Sequence, residues 1–196
     1  MKDIERRTVN VEMTIEKRAD EAPRIKGHAA VFNSMSKNLG WYREMISPGA
    51  FSEAIKDDDV RALWNHNPDH VLGRNKAGTL ILSEDERGLA IEIIPPDTQL
   101  ARDLMTSIER GDVSQMSFAF SVRPNGQSWG QDDEGNDVRT LTNVRLFDVS
   151  PVTYPAYTDT DVAIRSFREW KSAGGESTNI DYSNERRKLD LLEIDV

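Results

Sequence analysis

The stretch Gly111–Val122, GDVSQMSFAFSV, decides how this chain is read. Helical spacing stops at Gly111 and strict alternation begins. Met116, Phe118, Phe120 and Val122 form one set; Ser117, Ala119 and Ser121 form the other. Side chains on a strand alternate between its faces, so the large apolar set must face a core and Ser117 lies on the opposite face. A hydroxyl fixed on a strand by a packed core can serve as a nucleophile if a base reaches it. Without a base it is one more solvated strand serine, which is the commoner case.

The neighbouring segments set the fold class. Upstream, TQLARDLMTSIER (98–110) spaces Leu100, Leu104 and Ile108 along one helical face, with Asp97 as the expected N-cap and Gly111 at the C′ position. GTLILSE and RGLAIEII predict a hairpin around Asp85 and Glu86. TVNVEMTIE (8–16) alternates as one half-buried strand. RIKGHAAVF (24–32) is a second, with Gly27 marking a bulge or a close approach. VRALWNH (60–66) is a third, with Val60, Ala62, Trp64 and His66 on one face and a turn at Asn67-Pro68-Asp69. Ser47-Pro48 opens a short helix over 50–56.

Downstream of the central strand, residues 123–137 are polar and rich in turn formers, as at the tip of a long hairpin. A strand then runs through Val144 and Leu146 to Asp148, with Pro151 and Pro155 limiting further pairing. Residues 159–171 read as strand passing into helix. The fold class is therefore mainly β with peripheral helices (α+β), a β-barrel or a folded sheet. Residues 1–171 form the expected domain, 172–182 a Gly/Ser-rich linker and 183–196 a tail whose leucines suggest a marginal helix.

Composition removes several classes. A chain of 196 residues suits one domain with a real core. It has no cysteine, which excludes disulfides, thiolate catalysis and Cys-rich zinc sites. With 34 acids against 25 bases the net charge is −9, which argues against nucleic acid as a partner. No apolar run approaches the ~20 residues that span a bilayer, and the first ten residues lack a signal-peptide core. A cytosolic protein, or one packaged from the cytosol into something larger, is expected.

A serine nucleophile needs a base, and the histidines are His28, His66 and His70. His66 precedes a turn and can sit at a sheet edge. His70 follows four residues later, but Pro68 breaks the helical spacing a metal pair would use, so no metal site is expected. His28, inside a strand, suits a surface or a satisfied core position. An orienting acid is also required. Asp148 interrupts the apolar run LFDVSPV and is costly to bury unpaired; a turn-capping aspartate is the alternative. The acids of residues 131–137 read as solvated, and His28 and Glu44 are the reserves.

Taken together, IKGHAAVFN, YREMISPGAF, VRALWNHNPDHVLGR, GDVSQMSFAF and LFDVSPVTYPAY stand in the order seen in a known family. The chain resembles, over residues 5–163, the caudovirus prohead serine proteases, the capsid-maturation peptidases of tailed phages. The resemblance implies the herpesvirus assemblin-like fold, a closed β-barrel surrounded by helices. It places the family's serine on Ser117, its histidine on His66 and its acidic third member on Asp148. Many relatives have Glu at that third position, and Asp is one methylene shorter. The oxyanion arginine of assemblins has no counterpart soon after Asp148. The implied activity is that of a serine endopeptidase, made in the host cytoplasm and enclosed in the prohead. Its substrates would be the scaffolding segment of the major capsid protein and the enzyme itself, with no cofactor. The rivals are an inactive protease-like scaffold or assembly factor and a ligand-binding β-barrel with a closed apolar cavity.

Overall fold

The computed structural model describes residues 4–19, 21–39, 41–154 and 167–172. The expected linker beyond Ser172 and the tail 183–196 lie outside the described residues. The chain is mainly β. Its strands are β1 (Glu5–Asn10), β2 (Thr14–Glu16), β3 (Arg24–Val31), β4 (Arg43–Ile46), β5 (Arg61–Trp64), β6 (Asn67–Arg74), β7 (Leu80–Glu84), β8 (Gly88–Ile93), β9 (Gln115–Val122), β10 (Gln127–Gln131), β11 (Asp137–Leu141) and β12 (Val144–Val152). The helices α1 (Ser52–Asp57) and α2 (Gln99–Arg110) flank them, and residues 167–172 are helical.

The described residues form three sheets, in the orders β1-β9-β12-β5-β6, β10-β11-β4 and β2-β3-β8-β7. Among the described residues no pairing joins the two ends of any sheet into a ring. The five-stranded sheet carries the site, with β9 and β12 side by side near its middle. Met116, Phe118 and Phe120 of β9 are fully buried with Leu146 and Val149 of β12, Phe51, Ile25, Leu89 and Leu104 in one core. Phe51 meets Phe118 edge-on, with centroids 5.5 Å apart, and Phe118 stacks on Phe120 at 5.0 Å. The apolar face of the central strand is thus packed as its alternation requires.

Four sequence expectations change. The alternating run 8–16 is two strands, β1 and β2, in different sheets, because the chain turns a corner at Val11–Met13. Gly27 permits this corner: a Cβ there would meet Glu12 O and Met13 Cγ at 3.3 Å. The N-cap of α2 is Thr98, whose hydroxyl accepts from Ala101 N–H at 3.3 Å, and Gly111 ends the helix with φ 83°. Helix α1 starts only at Ser52, where Glu84 accepts from Phe51 N–H and Ser52 Oγ–H, both at 2.8 Å. Strand β12 continues through Pro151 to Val152. Pro151 O points towards β5 and accepts from Asn65 N–H at 3.0 Å. A residue's N–H and C=O leave a strand on the same side, so the missing donor also lies on that side and the ladder with β9 is spared.

Candidate active site

Ser117 sits at the centre of β9, on the face opposite Phe118. Its cross-strand neighbours are Thr8 on β1 and Ser150 on β12. Thr8, Ser150 and Ala119, its neighbours on that face, are small.

Asp148 reaches the same face because β12 is irregular. Leu146 pairs with Phe120, yet Asp148 pairs with Ala119, so Phe147 is an extra residue between them. Without it, alternation would put Asp148 on the core face with Val144 and Leu146. The bulge shifts the parity: Val149 takes the core position opposite Phe118, and Asp148 and Ser150 face the Ser117 side. Just before the bulge, Leu146 N–H donates to Asp58 Oδ2 at 2.9 Å, and Arg123 Nη2 holds Asp58 Oδ1 at 2.7 Å.

His66 is not on a strand. Trp64 pairs with Asn67, and the two residues between them, Asn65 and His66, have φ of 56° and 54°. This is a two-residue hairpin turn of type I′, with His66 where glycine is favoured. A left-handed side-chain-bearing residue costs on the order of 1–2 kcal/mol, and such strain gathers at functional sites. The turn is stapled to the end of β12. Asn65 N–H reaches Pro151 O at 3.0 Å, Thr153 N–H donates to Asn65 Oδ1 at 2.9 Å, and Asn65 Nδ2 donates to Thr153 Oγ1 at 3.3 Å. The expected turn at Asn67-Pro68-Asp69 is instead the start of β6, the edge strand, where a proline without N–H is tolerated. His66 and Ser117 therefore do not come from adjoining strands; β12 lies between β9 and β5.

These elements bring three side chains into line. His66 Nδ1 lies 2.6 Å from Asp148 Oδ1, and His66 Nε2 lies 2.7 Å from Ser117 Oγ. A carboxylate only accepts, so the proton sits on Nδ1, which leaves Nε2 free to accept from the Ser117 hydroxyl. Ser150 Oγ–H also donates to Asp148 Oδ1, at 2.8 Å. The arrangement can take a proton from Ser117 and hold the resulting imidazolium against a negative charge. The three side chains are largely buried. Ser117 is 0% exposed, and the side chains of His66 and Asp148 are 9% and 12% exposed.

The reserve residues lie elsewhere. His28 Nε2 is 2.8 Å from Asp85 Oδ2 on the four-stranded sheet, and this bond is the chief reason that Asp85 is held below the usual carboxylate range. Glu44 belongs to a buried ion cluster with Glu5, Arg7 and Arg139. Arg7 Nε meets Glu44 Oε1 at 2.7 Å, and Arg139 Nη1 and Nη2 meet Glu5 at 2.7 and 2.9 Å. The cluster joins β1 to β4 and β11 on the core side of the sheet, with the Arg7 guanidinium 5.4 Å from the Phe120 ring centre. The acids of residues 131–137 are not all solvated: Asp137 is buried against Lys171 at 2.9 Å.

Ser150, Asn65 and Asp58 escaped sequence reading. Ser150 had one signal, a polar residue two positions after Asp148. Asn65 had another, since Asn is favoured at the first central position of a type I′ turn.

Comparison with known proteins identifies the family and a similar fold. The family model described as caudovirus prohead serine protease matches residues 10–173. The capsid assembly protease of bacteriophage T4 has a similar fold, at 11% identity and a TM-score of 0.51, covering 78% of this chain and 98% of that one. No curated protein sequence matches. By its family the chain is a serine peptidase. The chain belongs to the caudovirus prohead serine protease family, and its function is capsid maturation in tailed phages.

Proposed function

We propose that residues 1–171 form an endopeptidase unit in which Ser117 is the nucleophile, His66 the general base and Asp148 the acid that orients His66. The observation that carries this reading is the unbroken chain from Asp148 Oδ1 through His66 to Ser117 Oγ, at 2.6 and 2.7 Å. Attack by Ser117 Oγ on a peptide carbonyl carbon sends its proton to His66 Nε2. Asp148 stabilises the imidazolium while the tetrahedral intermediate forms. His66 then protonates the leaving amine, and an acyl-enzyme remains for water to hydrolyse. Backbone N–H groups are needed at the oxyanion. No cofactor or metal takes part in these steps.

The substrate is the scaffolding segment of the major capsid protein, cut inside the prohead after assembly in the host cytoplasm, together with sites in the enzyme itself. The assemblin-like barrel belongs to the same proposal. The packing of β3 against both β1 and β9 around one core supports it.

Coexpression of the capsid protein with the wild-type chain or with Ser117→Ala tests the assignment. Shortened capsid protein with the wild type and full-length protein with Ser117→Ala are expected. Full-length protein in both, with folded enzyme inside the shells, would replace this reading by that of an inactive scaffold.

A further inference from the structure

We propose that Ser150 is a positioning residue for the catalytic acid, which makes the working unit a cluster of four hydrogen-bonded side chains. The inference rests on the roles proposed above for Ser117, His66 and Asp148. Ser150 is 0% exposed, and its hydroxyl donates to Asp148 Oδ1 at 2.8 Å. That oxygen is also the one facing His66 Nδ1. Two donors converging on one carboxylate oxygen fix both its place and its rotation. One donor would leave the carboxylate free to swing about its own side-chain torsions.

The strand register makes this more than the satisfaction of a buried hydroxyl. Ser150 lies directly across from Ser117 in the β9–β12 ladder. The bulge at Phe147 brings Asp148 and Ser150 together to the Ser117 face, so acid and donor arrive by the same backbone device. On that face Asp148 lies opposite Ala119, which offers its carboxylate no polar side chain. Ser150 holds Oδ1 of the acid while His66, on a turn outside the ladder, meets the same oxygen. Its task is to keep Asp148 aimed at Nδ1, and so to keep Nε2 aimed at Ser117.

The test compares Ser150→Thr with Ser150→Val in the full chain. The two side chains have nearly the same shape and load the buried site equally, but only Thr keeps the donor. The first readout is the far-downfield proton resonance of the His66 Nδ1–Asp148 hydrogen bond, assigned by its loss in His66→Gln. It should persist in Ser150→Thr and shift or broaden in Ser150→Val. The second is the rate of cleavage of coexpressed capsid protein, expected near wild type for Thr and lower by about tenfold or more for Val. Equal spectra and equal rates for the two variants would overturn the positioning role while leaving the proposed triad intact. Absence of the resonance from the wild-type protein would overturn the His66–Asp148 pairing, and this inference with it. If the wild type cleaves nothing, the proposed function fails, and the spectra alone still decide whether Ser150 holds Asp148.

Discussion

Leu146 and Val149 are three residues apart in β12, yet both face the core, opposite Phe120 and Phe118. Only an extra residue between them allows this, and that residue puts Asp148 on the face of the sheet that carries Ser117. Asp58 holds the backbone N–H just before the bulge and is itself held by Arg123. Asp58→Ala should therefore act at a distance. We expect a stability loss of about 1–3 kcal/mol from the unpaired Leu146 N–H and the lost Arg123–Asp58 ion pair, read as a lower urea midpoint; Arg123 keeps Val144 O and Glu53. We also expect reduced cleavage under conditions where the variant is fully folded. Full activity in the folded variant would show that the bulge does not depend on Asp58.

Asp148→Asn should leave the fold intact and lower turnover by about 10⁴-fold, the order seen when a triad acid loses its charge. Asn can present its N–H₂ to His66 and favour the wrong tautomer, and it cannot balance the imidazolium. A melting curve unchanged within about 0.5 kcal/mol, together with full cleavage activity, would remove Asp148 from the mechanism.

The Asn65–His66 turn predicts an unusual order of stabilities. Asn65→Gly keeps the left-handed backbone but loses the side-chain bonds to Thr153, at a cost of about 1–2 kcal/mol. Asn65→Ala loses the same bonds and adds the left-handed penalty, so it should be less stable than Asn65→Gly by about 1 kcal/mol. Equal urea midpoints for the two variants would contradict the type I′ turn.

The buried ion cluster predicts acid sensitivity. Burial pushes the Glu5 carboxyl up, but its hydrogen bonds and charge interaction with Arg139 and the charge of Arg7 outweigh this and hold it below its ordinary value of 4.5. A carboxyl depressed in the folded state binds fewer protons there than when unfolded. Its stabilising contribution is complete above the unfolded value and is lost as pH falls through the folded one. The urea midpoint should thus fall below about pH 4.5, with a shallower slope in Glu5→Gln. Arg139→Met, which leaves two buried carboxylates to one guanidinium, should cost about 3–5 kcal/mol.

Beyond β12, Phe167 is buried with Leu39 and Tyr42, and Trp41, Trp129 and Trp170 pack around them. Lys171 Nζ adds the bond to Asp137 and lies 4.6 Å from the Trp170 ring centre. A chain ending at Ser172 should keep a cooperative melt near that of the full chain, whereas Phe167→Ala should lose about 3–5 kcal/mol. If the shortened chain melts without cooperativity, residues beyond Ser172 contribute to the core.

Sequence alone carried the period-two strands, the apolar face of β9, the amphipathic α2 with its Gly111 stop and the absence of cysteine chemistry. These are local properties, set by side-chain periodicity and backbone conformational preference, and they can be read within ten residues of any position. Ser117, His66 and Asp148 could be nominated from residue type, from their setting and from family resemblance. What joins them could not be read in this way. Strict alternation puts Asp148 on the core face with Leu146, and only pairing against β9 reveals the inserted Phe147. Pro68 drew the expected turn two residues too far along, because a proline on an edge strand looks the same in sequence as one in a loop. The turn at Asn65–His66 is decided by its bonds to Pro151 and Thr153, more than eighty residues away, and Ser150 acquires its place only from the partner opposite it. Register between distant strands depends on the whole set of pairings that bury the core at once, so the tertiary structure alone decided which faces these four side chains share.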